Sequence, residues 1–303
     1  MTPRFDFQNA VDLFIITCKA RRLSDNTIRD YGTTMHKFIT FAGDKRIDQV
    51  TKFDILSFLA DQDVCNKTLL NYHVGLSVFF KLMVAEGILT NNPMAGVERP
   101  RPEKRVIEPI PFEHVKAMMA ATGKSALYQN KSKLVRNDLK LQSDRNRAML
   151  LFLLDTGVRV GELVTILKDK VDLNSGSVKV IGKGNKERII YFSATTAKAL
   201  HKYIATNNSR FLFSTMGDRP LDRNNVGKII ARICRRASVP IYSPHDFRHT
   251  FAVNYLRNYP NIYALQQMLG HSSLDMVKRY LVISEGDLKN AHVHASPVEH
   301  WNL

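Results

Sequence analysis

Residues 243–280 read SPHDFRHTFAVNYLRNYPNIYALQQMLGHSSLDMVKRY. The stretch packs histidine, arginine and tyrosine side chains into a short, mainly helical segment. His245 and Arg248 stand three apart, so on a helix they share a face and can address one anion. His271 follows Gly270, and Ser272 with Asp275 reads as the capping box of a helix expected to carry Tyr280. Cations, imidazoles and a phenol gathered in this way suit a phosphodiester better than a metal or an acyl group.

Upstream, the apolar run AMLLFLLDTG at 148–157 reads as a buried helix broken at Thr156 and Gly157. Arg159 follows directly and is therefore held rigidly by the core. Val178 and Val180 alternate with polar neighbours, and residues 189–192 form the return strand of a hairpin. Its tip, Gly182-Lys183-Gly184-Asn185-Lys186-Glu187, presents two lysines between glycines that allow close approach to a phosphate backbone. Residues 124–144 are polar, basic and weakly periodic, and read as a loop or frayed helix without an assigned role. Helices are expected at 111–121, 224–237 and 284–292. The tail carries His292, His294, His300 and Trp301 and reads as exposed or as a docking segment, since no acid or cysteine accompanies its histidines at metal-ligating spacing.

Residues 6–96 are helical in pattern throughout. Ser24 caps a helix with apolar positions Ile28, Tyr31, Met35, Phe38 and Ile39, stopped at Gly43. Thr51 and Asp54 form a capping box, and Asn66 opens a helix through Phe79, Phe80 and Met83 that closes at Gly87. Four helices with short connections make a small bundle whose aromatic stripe is core. Residues 91–105 hold three prolines and a set of basic residues, and read as an interdomain linker whose Arg99, Arg101, Lys104 and Arg105 either favour a path close to phosphate or are simply solvated. The organisation expected is a helical domain over 1–96, a linker over 97–110 and a second domain over 111–303.

The 303 residues include 44 Lys and Arg against 28 Asp and Glu, a formal charge of +16. That balance implies a polyanionic partner, nucleic acid before an anionic membrane, because the charge is spread along the chain and not gathered on one amphipathic helix. Cys18, Cys65 and Cys234 are too few and too scattered for a disulfide framework or a zinc cage, and read as small buried hydrophobes. The N-terminus lacks the apolar h-region of a signal peptide, and no stretch reaches the roughly 18 apolar residues of a membrane span. A soluble cytoplasmic protein is expected.

Phosphodiester transfer needs guanidinium groups for the charge that builds on the non-bridging oxygens, which Arg159 and Arg248 supply. A tyrosine phenol conserves bond energy in a covalent ester, and Tyr280 is the expected nucleophile. Lys183 on a hairpin can protonate the leaving 5′ oxygen, while His245 takes the phenolic proton or holds a phosphate oxygen and His271 hydrogen-bonds the same phosphate.

The motifs TGVRVGEL around Arg159, GKGNKER around Lys183, HDFRHTFA from His245, LGH ending at His271 and KRY ending at Tyr280 resemble the tyrosine recombinase, or phage integrase, family. The similarity covers nearly the whole chain and lies toward the bacterial Xer-type members. The resemblance implies a mainly α fold with a small antiparallel β-sheet: an N-terminal helical core-binding, SAM-like bundle plus a catalytic domain, closing as a C-shaped clamp around DNA. It assigns Arg159, Lys183, His245, Arg248, His271 and Tyr280 to catalysis, with Glu162 in support. Lys186, Arg188, Arg99 and Arg101 are further candidates for nucleic-acid contact. Family members form a 3′-phosphotyrosyl bond, release a 5′ hydroxyl, and exchange strands through a Holliday junction without metal or nucleotide cofactor. The implied partners are duplex DNA with inverted half-sites and a homo- or hetero-tetramer built through the C-terminal helix, with room for an accessory protein. An arm-binding domain ahead of Asp6 is not expected, which argues against the large heterobivalent integrases. Two alternatives remain open at this point: a DNA-binding architectural or regulatory protein that does not cut, and a type IB topoisomerase.

Overall fold

The computed structural model describes residues 6–101, 108–123, 133–182, 187–215, 219–270, 273–278, 280, 292–293 and 296–301. The chain divides into two compact units, Met1–Arg105 and Val106–Leu303.

The first unit consists of α1 (Phe7–Ala20), α2 (Asp25–Ala42), α3 (Lys52–Ala60) and α4 (Asn66–Ala85). Ser24 accepts the Thr27 amide at the start of α2, and Gly43 ends that helix at φ +61°. Thr51 and Asp54 close a reciprocal box on α3. Phe14, Phe38, Phe58, Phe79 and Phe80 are almost wholly buried, and Phe38 meets Phe58 and Phe80 edge to face. Contrary to the sequence expectation, α4 is long and apolar enough by length and composition to cross a membrane. Its buried Leu76, Phe79, Phe80 and Met83 belong to the aromatic core, which accounts for the hydropathy. The expected linker also starts too early. Met94 is buried, Val97 packs on the core, and the Val97 carbonyl lies 3.1 Å from Nε2 of buried His73, so two apolar anchors hold the proline-containing segment to this unit. Cys65, expected buried, is exposed at the start of α4, with Sγ 3.3 Å from the Thr68 hydroxyl.

The second unit runs α5 (Phe112–Ala121), α6 (Lys133–Thr156), α7 (Val160–Leu163), β1 (Val171–Asp172), β2 (Ser177–Ile181), β3 (Glu187–Tyr191), α8 (Ala194–Ile204), α9 (Arg223–Ala237), α10 (Pro244–Asn258), α11 (Ile262–Leu269), α12 (Asp275–Lys278) and α13 (Pro297–Trp301). The strands form one antiparallel sheet in the order β1-β2-β3. Val178 opposes Ile190, and Ile181 opposes Glu187 at the last pair before the hairpin tip. The inner sheet face joins Phe152, Leu153, Leu200, Phe213, Ile230 and Phe247 in the core.

Three elements depart from expectation. Of the segment 124–144, read as a loop or frayed helix, residues 124–132 lie outside the described residues and residues 133–144 are helix continuous with the apolar run; at the junction Lys202 Nζ reaches Asp144 at 2.7 Å and Arg145 donates to the Ser214 carbonyl at 3.1 Å. β1 is too short to show a period. α8 was not anticipated, yet Ser193 caps it and Thr196, Leu200 and Tyr203 are buried at helical spacing. The helix expected over 284–292 lies almost wholly outside the described residues.

Candidate active site

The C-terminal turn of α6 begins the site. Thr156 Oγ1 donates to the Phe152 carbonyl and accepts the Val158 amide. Gly157 then turns the chain at φ +58°, where a Cβ would lie 2.4 Å from the Phe251 ring. Arg159 follows as the N-cap of α7, and its amide donates to Glu162 Oε2 at 3.0 Å. α10 enters the site from the other side, started by Pro244 at its first turn and by Asp246, which accepts from the Ser243 amide and hydroxyl.

Glu162 is the hub. It is 5 % exposed and receives Arg159 Nη1 at 3.1 Å and both terminal nitrogens of Arg188 at 2.8 Å. Burial alone would raise its carboxyl pKa, but hydrogen bonds and charge from Arg188, then Arg159, outweigh that and hold it below the usual carboxylate range. Arg248 is 3 % exposed, donating to the Gly157 carbonyl at 2.7 Å and the Leu269 carbonyl at 2.8 Å. Burial, then the nearby Arg159, lowers its pKa to about 10, while Tyr280 and Glu162 act in the opposite direction. Arg159, Arg188, Arg248, Glu162 and Tyr280 therefore share one electrostatic neighbourhood. Three guanidiniums face one carboxylate there, an excess of positive charge suited to a phosphodiester.

α11 ends against these arginines. A helix leaves its last carbonyls without intrahelical donors. Here Met268 O accepts from Arg188 Nε at 2.9 Å, Leu269 O from Arg248, and Gly270 O from Arg159 Nη2 at 2.9 Å. Gly270 is left-handed at φ +63°, and the Arg188 guanidinium lies 3.1–3.2 Å from where its Cβ would be.

Tyr280 lies just past α12, its amide on the Val277 carbonyl at 2.9 Å. Asp275 is the first residue of α12, and the capping box expected with Ser272 lies outside the described residues. The Tyr280 ring is 6 % exposed, packed with Val253, Leu256, Leu265, Leu269 and Val277. His245 is exposed, while Arg248, three residues on along the same helix, is buried.

His249 escaped the sequence reading, although it stands one helical turn beyond His245. Its ring lies 3.9 Å from that of His245 and 5.4 Å from that of Tyr280. Burial, then the charge of His245, lowers the His249 pKa to about 4. Between the ordinary value near 6.5 and about 4, the unfolded chain takes up a proton that the folded chain refuses, so stability falls as pH falls through that window. His249→Gln is expected to flatten the decline of melting temperature between pH 6.5 and 4, as thermal melts at stepped pH would show.

Arg188, a candidate for DNA contact, is directed instead to Glu162 and Met268, with its side chain 14 % exposed. Arg99 and Arg101 are exposed in the first unit. Lys183, Lys186 and His271 lie outside the described residues. Among the described residues, no three His, Cys, Asp or Glu side chains are grouped to hold a metal ion.

A profile described as Phage integrase family matches residues 112–285, and one described as Phage integrase, N-terminal SAM-like domain matches residues 11–88. The chain is similar to tyrosine recombinase XerD of Halalkalibacterium halodurans, at 27% identity over 294 residues (91% of this chain, 93% of the relative). It is 30% identical over 290 residues to tyrosine recombinase XerD of Staphylococcus haemolyticus (91% and 94%). Its fold matches the crystal structure of XerH site-specific recombinase bound to palindromic difH substrate in a post-cleavage complex, with TM-score 0.71, 18% identity, and coverage of 94% of this chain and 84% of that one.

Proposed function

The chain belongs to the phage integrase family, and on that premise we propose that it is a site-specific tyrosine recombinase in which Tyr280 forms the covalent bond to DNA. The Tyr280 oxygen attacks the scissile phosphorus, the bond to the 5′ oxygen breaks, and a 3′-phosphotyrosyl ester remains. Arg159 and Arg248 hold the non-bridging oxygens, and Lys183 gives its proton to the leaving 5′ oxygen. His245 takes the phenolic proton or holds a phosphate oxygen, His271 hydrogen-bonds the phosphate, and Glu162 orients Arg159. The observation that carries this reading is the convergence of Arg159, Arg248 and Tyr280 around the Glu162 network. No step draws on a metal or a nucleotide.

The substrate is duplex DNA with inverted half-sites, met in the cytoplasm, with Arg99, Arg101 and Lys186 on the backbone. Strand exchange runs through a Holliday junction in a tetramer, whose contacts extend from the C-terminal segment, where Val293, Val298 and Trp301 are exposed. The same chemistry serves integration or excision of a mobile element and resolution of replicon dimers.

The test begins with selection of bound duplexes from a randomised pool, which is expected to enrich inverted repeats. Affinity for them should fall with salt at a log-log slope of about −0.9 per neutralised phosphate; a slope near zero would contradict a phosphate-dominated interface. Two duplexes carrying the enriched site should then exchange strands in EDTA without ATP. Tight binding with no joint product would favour the architectural reading, and relaxation of supercoils without exchange would favour a topoisomerase.

A further inference from the structure

We infer that Arg188 is a positioning residue that keeps Glu162 and the C-terminal turn of α11 in place while Arg159 and Arg248 turn to the scissile phosphate. The inference rests on the recombinase reading above. Three successive carbonyls, Met268, Leu269 and Gly270, are each held by a different arginine. Two of those arginines are the phosphate ligands, so a phosphate arriving at the site competes for their donors. Arg188 is already committed on both sides, with two nitrogens on Glu162 and Nε on Met268 O. It therefore links β3, α7 and the end of α11, and the segments leading to Lys183 and to His271 start from the elements it joins. Gly270 completes the arrangement, because any side chain there would meet the Arg188 guanidinium.

The reader of this linkage is Glu162. The charged groups facing it are Arg159, Arg188 and Arg248, with Arg223 of α9 lying over Gly161. Without Arg188, burial is opposed by fewer donors and the Glu162 carboxyl titrates at higher pH. Protonated Glu162 holds Arg159 poorly.

The experiment compares wild type, Arg188→Met and Arg188→Lys by single-turnover formation of the phosphotyrosyl adduct at saturating duplex, by duplex affinity, and by melting temperature, each across pH. The methionine variant is expected to lose about 10²-fold in adduct rate, the cost of a misplaced reacting group, with affinity within about threefold of wild type. The acid limb of its rate profile should move to higher pH. A lysine keeps the charge without the fork, so Arg188→Lys should leave that limb near wild type and lose less rate. The melts read the same shift without DNA. Glu162 contributes stability above its unfolded pKa that is lost as pH falls through the folded one, so in Arg188→Met the loss begins at higher pH. Wild-type rate in both variants, rate lost in proportion to affinity, or an unmoved acid limb and melt profile would each overturn the inference. Absence of an adduct in wild type would instead count against the recombinase reading, and the melts would still decide the role of Arg188.

Discussion

Arg248→Ala is expected to cut the rate of covalent adduct formation by about 10³-fold and to destabilise the second unit. The guanidinium is almost wholly buried and serves two masters: the backbone, through Gly157 O and Leu269 O, and the phosphate proposed to bind beside Arg159. Truncation leaves both carbonyls without that donor at about 1–3 kcal/mol each. Part of this is offset, because the lowered pKa of about 10 records a cost of burying the charge that alanine does not carry. Arg248→Lys separates the two duties. It retains the positive charge but not the planar fork, so it should recover more stability than rate. Denaturant unfolding and single-turnover adduct rates on the same preparations measure both quantities. Unimpaired adduct formation by Arg248→Ala would remove this guanidinium from the chemistry.

The double duty of Arg248 also marks where sequence reading stops. Periodicity and capping revealed α2, α3 and α4 nearly to the residue, because Ser24, Thr51 and Gly43 are local signals that act within one turn. The hairpin was legible because Val178 and Val180 alternate with polar neighbours and a short apolar run at 189–192 supplies the return strand, which the pairing of Val178 with Ile190 bears out. The helix over residues 133–144 was less so, since its sequence is polar and weakly periodic, and an inward-facing charge such as Asp144, which pairs with Lys202, looks the same in sequence as a solvated one.

The same limit applied at the site. The pattern of residues picked out Arg159, Arg248 and Tyr280, the family resemblance added Glu162, and the structure brings these four together. Arg188 reads in the sequence as a candidate for nucleic-acid contact. Its partners Glu162 and Met268 are 26 and 80 residues away, beyond any local pattern. His249 carried a usable signal, one turn from His245 on the same helix, but its approach to Tyr280 depends on how α12 returns to α10.

Tyr280→Phe is the second large effect. The substitution removes one oxygen and leaves the ring among Val253, Leu256, Leu265, Leu269 and Val277, so folding should change by no more than about 1 kcal/mol. Duplex affinity should be retained, because the arginines stay in place. Adduct formation should vanish, since phenylalanine offers no nucleophile and neighbouring groups cannot replace a missing bond-forming atom.

The decisive measurement is therefore trapping on a nicked duplex carrying the enriched site, with the strand end labelled and the product run on a denaturing gel. The account predicts a labelled protein–DNA adduct with wild type and none with Tyr280→Phe at equal duplex occupancy. An adduct that survives in Tyr280→Phe would contradict it and move the nucleophile elsewhere, with exposed Tyr263 on α11 the next residue to substitute.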